Sequence, residues 1–128
     1  MAPPVIEWGS RAKLPVIEAG AIEKINGKYY MMAGSLGRYK GNVGMYTLES
    51  NSPKGPFYPS KKEFQTIDFT SKFSFHLFRP LFPYKGEVLV NHHAISRGDK
   101  ERYFGLLKKA SVDKEGILRL GYWLGMKN

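Results

Sequence analysis

The dipeptide Asn26-Gly27 constrains the fold of this chain more than any other short feature. Asn and Gly tolerate the positive backbone φ angles of a two-residue turn, and an Asn-Gly pair between β-forming runs is the strongest short hairpin signal. The flanking segments 21–25 and 28–33 are rich in Ile, Tyr and Met, so they predict the two strands of a hairpin. Glu18 precedes the hairpin, and we expect its carboxylate to stand at the mouth of a sheet instead of within it.

The rest of the chain consists of short apolar segments separated by turn residues. No segment carries a 3.6-residue apolar stripe over three helical turns, so the pattern does not favour a helical domain. Pro80 is expected to create an edge or a bulge within its segment. The strands predicted after the hairpin are 45–50, 64–69, 74–82, 87–94, 102–110 and 117–124. The sequence therefore predicts an all-β fold with few or no helices.

The strand pattern restarts at a regular spacing. Gly27 and Gly86 are 59 positions apart, and each precedes an apolar strand. A recurring four-stranded antiparallel unit is typical of β-propeller blades, although common blade repeats have about 40–50 residues. An eight-stranded β-sandwich with accidental spacing is the alternative. The propeller interpretation divides the chain into an N-terminal arm (1–14), a first blade (15–72) and a second blade (73–128).

The amino-acid composition limits the classes of function that this chain can have. The 128 residues are 42% hydrophobic, which is enough for one packed domain. The net charge of +9 is spread along the chain, so nucleic-acid binding is not favoured, and a basic β-module for anionic polymers is a further alternative. The absence of cysteine excludes disulfides and thiolate metal sites. The sequence shows neither a membrane-length apolar run nor a signal-peptide pattern, so we expect no membrane partner and assign no localisation.

Two blades on their own would leave large apolar faces, because a blade buries its faces against its neighbours. Apolar faces of this kind associate or aggregate when they are exposed. We therefore expect the chain to be either part of a longer propeller or a homo-oligomer that closes its ring with further copies.

Two motifs of this sequence resemble motifs of a known enzyme family. The first runs from Ile17 to Tyr30 and combines Glu18, an apolar strand, Asn-Gly and Tyr-Tyr. It resembles the start of the third blade in the five-bladed propeller glycoside hydrolases of families 43 and 32. The second motif, Ser-Asn-Ser-Pro-Lys-Gly-Pro-Phe at 50–57, resembles the turn that closes the same blade. The motifs cover about a third of the chain, which is thus similar to a fragment of about two blades from such an enzyme.

The resemblance implies hydrolysis of glycosidic bonds in polysaccharides or oligosaccharides, with Glu18 as the general acid. This chemistry needs a second carboxylate, and in these families that group lies on the first two blades, outside this chain. Ala19 and Gly20 replace the usual Gly-Pro or Cys-Pro after the acid, so the backbone that aims the carboxylate differs. The alternative is a non-catalytic carbohydrate-binding or assembly module from a truncated propeller.

Three further residues are candidate substrate contacts: His92, His93 and Tyr30. Adjacent residues of a strand point to opposite faces, so the two histidines cannot share one metal ion without a bulge. One of them is expected to line a central pocket and bind a sugar, the alternative being an ordinary histidine at a strand end. Tyr30 is a candidate for stacking on a sugar ring, although aromatic residues in strands usually belong to a core. The pattern predicts no metal site and no cofactor.

Overall fold

The computed structural model describes residues 6–7, 17–39, 42–60, 65–68, 73–96 and 102–126, with side-chain surroundings for 6–7, 21–33, 45–60, 81–91 and 105–125. These ranges form two antiparallel β-sheets. The first sheet contains β1 (Ile17–Ile25), β2 (Lys28–Tyr39), β3 (Asn42–Ser50), β4 (Tyr58–Pro59) and β5 (Gln65–Asp68). The second contains β6 (Phe73–Tyr84), β7 (Glu87–Ser96), β8 (Arg102–Phe104), β9 (Lys108–Val112) and β10 (Leu118–Tyr122), followed by a 3-10 helix at Leu124–Met126. In the described part of the chain, no helix is long and apolar enough to span a membrane.

Each sheet has four strand positions, one of which is divided between two short strands. In the first sheet β4 and β5 both pair with β3, which gives the order β1-β2-β3-β4/β5. In the second sheet β8 and β9 both pair with β7, which gives the order β6-β7-β8/β9-β10. The edge strands β1 and β6 contact each other. The predicted all-β class and the two four-stranded antiparallel units are therefore confirmed.

The two hairpin turns that define the repeat have the same backbone conformation. The φ angles are +51° at Asn26 and +83° at Gly27, and +47° at Lys85 and +78° at Gly86. Two successive positive φ angles are typical of type I′ turns, whose twist matches that of the flanking strands. Both turns join an edge strand to its neighbour, so the 59-residue spacing marks one position that recurs in the two sheets.

Strand boundaries differ from the sequence prediction where pairing depends on distant partners. β1 begins at Ile17 instead of at residue 21, because its first residues pair with the long strand β2. The single strand predicted at 102–110 is interrupted between β8 and β9, and β4 directly follows the turn cluster at 50–57, where no strand is predicted. The irregularity expected at Pro80 is confirmed, since the register with β7 shifts between Leu77 and Leu81.

The main core lies between the two sheets. Side chains alternate between the two faces of a strand, so every second residue of each strand points into this core. Fully burying one such apolar side chain stabilises the fold by roughly 1.5–3 kcal/mol. The buried members of this core are Tyr30, Met32 and Met45 of the first sheet and Leu81, Val90, Ala110 and Leu118 of the second.

The outer face of the first sheet carries a second cluster, in which Met31, Ala33, Leu48 and Phe57 are buried and Ile6 packs against them. Ile6 forms a parallel bridge with Phe57. The adjacent N–H of residue 7 donates a 2.8 Å hydrogen bond to the Phe57 carbonyl. Residues 6–7 thus lie beside Phe57, which directly precedes the outer strand β4.

The two sheets are aligned with their turns at the same end. The Tyr30 hydroxyl, near the start of β2, donates a 2.9 Å hydrogen bond to the Gly116 carbonyl in the turn between β9 and β10. The turns 26–27, 85–86 and 113–116 therefore share one end, here called the turn end. The opposite end, where β1 and β6 begin and β7 ends, is called the entry end.

Candidate functional site

Glu18 lies within β1, and the sequence prediction that it precedes the strand is wrong. Its backbone pairs with Gly34 of β2. The strand extends this far because β2 continues to Tyr39 and offers partners beyond the predicted end of the hairpin at residue 33. Glu18 is thus a strand residue at the entry end of the first sheet.

A β-bulge separates Glu18 from the rest of its strand. Between residues 18 and 21 β1 advances three positions while β2 advances only two, so one residue at 19–20 is extra. In a regular strand Glu18 would fall in the row that belongs to the outer face. The bulge instead puts it in the same cross-strand row as Gly34 and Met45, and Met45 belongs to the core between the sheets. The register therefore assigns Glu18 to the face that meets the second sheet.

His92 and His93 lie in the second half of β7, also at the entry end. Their backbone partners in β6 are Leu77 and His76. His92 follows the core residue Val90 by two positions, so the alternation assigns it to the face that meets the first sheet. The same alternation assigns His93 to the opposite face.

Glu18 and His92 consequently occupy register positions on the two facing sides of the sheets. β1 contacts β6, and β6 is the ladder neighbour of the strand that carries His92. The side chains of Glu18, His92 and His93 lie outside the ranges whose side-chain surroundings are described. Their roles as acid and substrate contacts stay predictions.

Tyr30 is a core residue in this structure. Its side chain is 2% exposed, and its hydroxyl is hydrogen bonded to the Gly116 carbonyl. Burial raises the pKa of Tyr30, and the negative charges of Glu49 and Asp113 add to this shift. Stacking of Tyr30 on a sugar ring stays a prediction, and it requires the ring to leave its contact with the second sheet.

Asp68 is a second carboxylate at the entry end of the first sheet. It pairs with Gly44 of β3, whose row continues through β2 to Ile17. Three strand spacings separate the Asp68 and Ile17 backbones by about 14 Å, and this row lies next to that of Glu18. Paired carboxylates in glycoside hydrolysis are roughly 5–10 Å apart. The ladder therefore does not make Asp68 a close partner of Glu18.

Sequence reasoning missed the partly buried carboxylate of Glu49. Its side chain is 14% exposed, and it accepts hydrogen bonds from Lys28 Nζ at 3.0 Å and from Ser60 Oγ at 3.1 Å. The strand 45–50 is buried on both faces, since Met45 and Thr47 on one face and Tyr46 and Leu48 on the other are buried. Alternation along the strand therefore gave no signal for Glu49.

Two other carboxylates stabilise the turn end of the second sheet. Hydrogen bonds from the Ile117 backbone and the Arg119 guanidinium hold the pKa of Asp113 below its usual value. Hydrogen bonds from Lys109 and the Trp123 indole lower the pKa of Glu87 in the same way. A general acid of glycoside hydrolysis needs a raised pKa, so neither group suits that role. Among the side chains with described surroundings, no three His, Asp or Glu residues are grouped as a metal site would require.

Several solved structures are similar to this chain. No protein-family model and no curated protein matches the sequence. A Cellvibrio cellulosa α-L-arabinanase complexed with arabinohexaose is similar with a TM-score of 0.64 and 18% identity, over 93% of this chain and 42% of the arabinanase. An exo-1,5-α-L-arabinanase from a bovine ruminal metagenomic library is similar with a TM-score of 0.60 and 14% identity, over 80% of this chain and 36% of the arabinanase. An endo-1,4-β-xylanase from Bacteroides thetaiotaomicron VPI-5482 is similar with a TM-score of 0.55 and 19% identity, over 84% of this chain and 38% of the xylanase.

The fraction of each solved structure that this chain covers agrees with the two sheets of this chain. The chain spans about two fifths of the solved structures it matches. These enzymes are five-bladed β-propellers, in which two blades make up the same share. At these low identities the likeness establishes the fold. The two sheets are two adjacent blades of a β-propeller of the kind found in arabinanases and xylanases, and the chain corresponds to part of such a propeller.

Proposed function

We propose that this chain is a two-blade part of a glycoside hydrolase that acts on polysaccharides or oligosaccharides, with Glu18 as its general acid. The observation that carries the proposal is the bulged position of Glu18 on β1, the edge strand that contacts β6 of the next blade. Bulges are over-represented beside active sites, where they re-aim a side chain. Carbohydrate is the expected partner, since one similar arabinanase was solved with arabinohexaose.

The remaining carboxylates come from outside these two blades. Hydrolysis requires one carboxylic acid to protonate the leaving oxygen and a second carboxylate to act as base or nucleophile. Asp68 lies in the row next to that of Glu18, at the other side of the sheet, with about 14 Å between the Asp68 and Ile17 backbones. We propose that the second carboxylate is supplied by further blades, either of a longer polypeptide or of other copies of this chain. His92, which the strand alternation assigns to the side that faces the first sheet, is proposed as a substrate contact beside the acid, and His93 is assigned to the opposite face.

The test is a hydrolysis assay on arabinan and xylan with the assembled protein, whether a longer polypeptide or an oligomer. Glu18→Gln should lower kcat by about 10²–10⁴-fold, the usual contribution of a general acid. Glu23→Gln is the matched control, because it changes a glutamate of the same strand near the turn end. Equal activity of the Glu18 variant and the wild-type protein would refute the acid role.

A non-catalytic carbohydrate-binding or assembly module is the second candidate. The ladder position of Asp68 favours it, because the first sheet does not bring a second carboxylate close to Glu18. Calorimetric titration with arabinohexaose separates the two candidates. Binding without hydrolysis, and with equal affinity in Glu18→Gln, would support the non-catalytic module.

A further inference from the structure

A cavity of about 250 Å³ lies at the turn end of the first sheet, away from Glu18. Pockets for drug-sized ligands occupy about 300–1,000 Å³, so this cavity suits a smaller ligand, of the size of one sugar ring. It is formed where β2 begins, β3 ends and β4 runs beside them. Its lining residues are Lys28, Glu49, Ser50, Asn51, Tyr58 and Pro59.

A row of paired residues crosses the whole sheet and ends at this cavity. Glu23 pairs with Tyr30, Tyr30 with Glu49, and Glu49 with Tyr58, so acids and tyrosines alternate over four strands. The middle of the row is covered by the second sheet, where Tyr30 meets Gly116. Tyr58 at the outer end is 46% exposed. The row thus runs from the buried contact between the blades into an open cavity.

A donor and an acceptor stand next to each other in this cavity. Lys28 Nζ and Glu49 Oε1 are 3.0 Å apart, and Ser60 Oγ donates to the other oxygen of the carboxylate at 3.1 Å. An ammonium group has three hydrogens, and each carboxylate oxygen accepts at two sites. After these contacts the pair retains capacity to bind one hydroxyl that accepts from Lys28 and one that donates to Glu49.

The Tyr58 ring provides a flat apolar surface beside this pair. Desolvation of the Tyr58 hydroxyl and its interaction with the Glu7 carboxylate raise the pKa of Tyr58. Tyrosine combines an apolar ring with a polar tip and suits sites that are apolar on one side and wet on the other. Asn51, which is exposed in the neighbouring turn, adds an amide donor and acceptor.

The geometry points to a binding site for a single neutral sugar ring, held by two adjacent hydroxyls on Lys28 and Glu49 and by its apolar face on Tyr58. A neutral ligand fits because Glu49 compensates the charge of Lys28 and would repel an added carboxylate. The site lies at the turn end, and Glu18 lies at the entry end. It therefore does not depend on the proposed catalytic function, and the two can fail separately.

The test is a titration of the isotope-labelled full chain by NMR, with methyl β-D-glucopyranoside and with its charged analogue methyl β-D-glucuronide. The neutral glycoside should give saturable shifts at residues 28, 49–51 and 58, and it should bind more tightly than the glucuronide. Lys28→Met and Tyr58→Ala should each weaken binding about tenfold, as expected for the loss of one strong contact. Because Lys28→Met removes the cation beside the partly buried Glu49 carboxylate, the NMR spectrum of each variant without ligand is first compared with that of the wild-type chain to establish that the variant is folded.

Two control variants keep the assignment specific. Lys54→Met removes the same charge from the exposed turn nearby, and Lys114→Met removes it from the exposed turn of the second sheet. Both should retain the affinity of the wild-type chain for the neutral glycoside. Tighter binding of the glucuronide, an equal loss in either control, or the absence of saturable shifts at the turn end would each overturn the site.

Discussion

A single carboxylate organises the turn between β9 and β10. Asp113 Oδ1 accepts hydrogen bonds from the N–H groups of Glu115 at 2.9 Å and Ile117 at 3.0 Å, and Oδ2 accepts from Arg119 Nε at 2.9 Å. Its backbone closes the same turn, with the carbonyl accepting from the Gly116 N–H at 3.0 Å. Aspartate is frequent in turns because its side chain hydrogen bonds to backbone groups two residues ahead. The ionised form of Asp113 therefore stabilises the turn that meets Tyr30.

This turn makes stability depend on pH in the acidic range. The pKa of Asp113 is lowered from its usual 3.8, so its contribution is complete above about pH 4 and is lost as the pH falls through the lowered value. Asp113→Asn should reduce the urea midpoint at pH 7, and its difference from the wild-type chain should narrow below about pH 4. Glu115→Gln removes the same charge from the same turn and should have a smaller effect. A difference for Asp113→Asn that stays constant from neutral to acidic pH would contradict this account.

At the scale of the strands, the blades are joined by alternating side chains and by one hydrogen bond. The inner face of β2 contributes Tyr30 and Met32 to the core, while its outer face contributes Met31 and Ala33 to the second cluster. Residues 30–33 of this strand are thus buried on both sides, which is expected for a strand inside a propeller blade. The Tyr30 hydroxyl makes this packing specific, because it donates a hydrogen bond to one particular turn of the neighbouring blade.

Loss of that hydroxyl should weaken the contact between the blades. Tyr30→Phe leaves the Gly116 carbonyl without this donor, and we expect the free energy of unfolding to fall by about 1 kcal/mol. Tyr29→Phe is the control, because Tyr29 packs with the cluster on the outer face. Since the pKa of Tyr30 is raised above its usual 10.0, the contribution should persist below pH 10 and decline as the pH rises through the raised value. Urea unfolding of both variants measures these effects, and equal losses would show that the bond to Gly116 is not what matters.

The sequence predicted those elements that are defined locally. Asn26-Gly27 carries its turn conformation in its own residue types, and Pro80 marks its bulge through its missing N–H. The division of one strand position between β4 and β5 was not predictable, because each short strand exists through its partner in β3. The strand position of Glu18 was missed for the same reason, since it depends on the length of β2. The cavity at Glu49 requires three strands to come together, and no single segment indicates it.

At the scale of the whole molecule, exposed apolar residues concentrate at one side of the second blade. Leu106 is 67% exposed, Tyr122 is 63% exposed and Leu124 is 71% exposed. Tyr122 pairs with Lys108, so these three residues lie near one another beside the edge strand β10. Scattered apolar residues are normal on a surface, but a contiguous group marks an interaction site. Neighbouring blades pack through their faces, so we expect a second copy of this chain, and not the next blade, to bind along this edge.

We therefore expect the 14.5 kDa chain to form a discrete oligomer in solution. Light scattering after size-exclusion chromatography should give a mass that is a multiple of that of one chain. The double variant Leu106→Asp with Leu124→Asp should shift the mass downward, because charge at a buried apolar contact is costly. Lys54→Asp, in an exposed turn of the first blade, should leave the mass unchanged. A monomeric wild-type chain would leave the remainder of a longer propeller as the expected partner.

The bulge at 19–20 also has a consequence for recognising relatives of this protein. Deleting one residue there would convert the bulge into regular strand and would leave Glu18 opposite Gly34, because the extra residue is already absorbed without a partner. The number of residues between the acid and the Asn-Gly turn is therefore free to vary by one without moving the acid to the other face. A search that demands fixed spacing would overlook homologues, and one that permits a single gap before the hairpin would retain them.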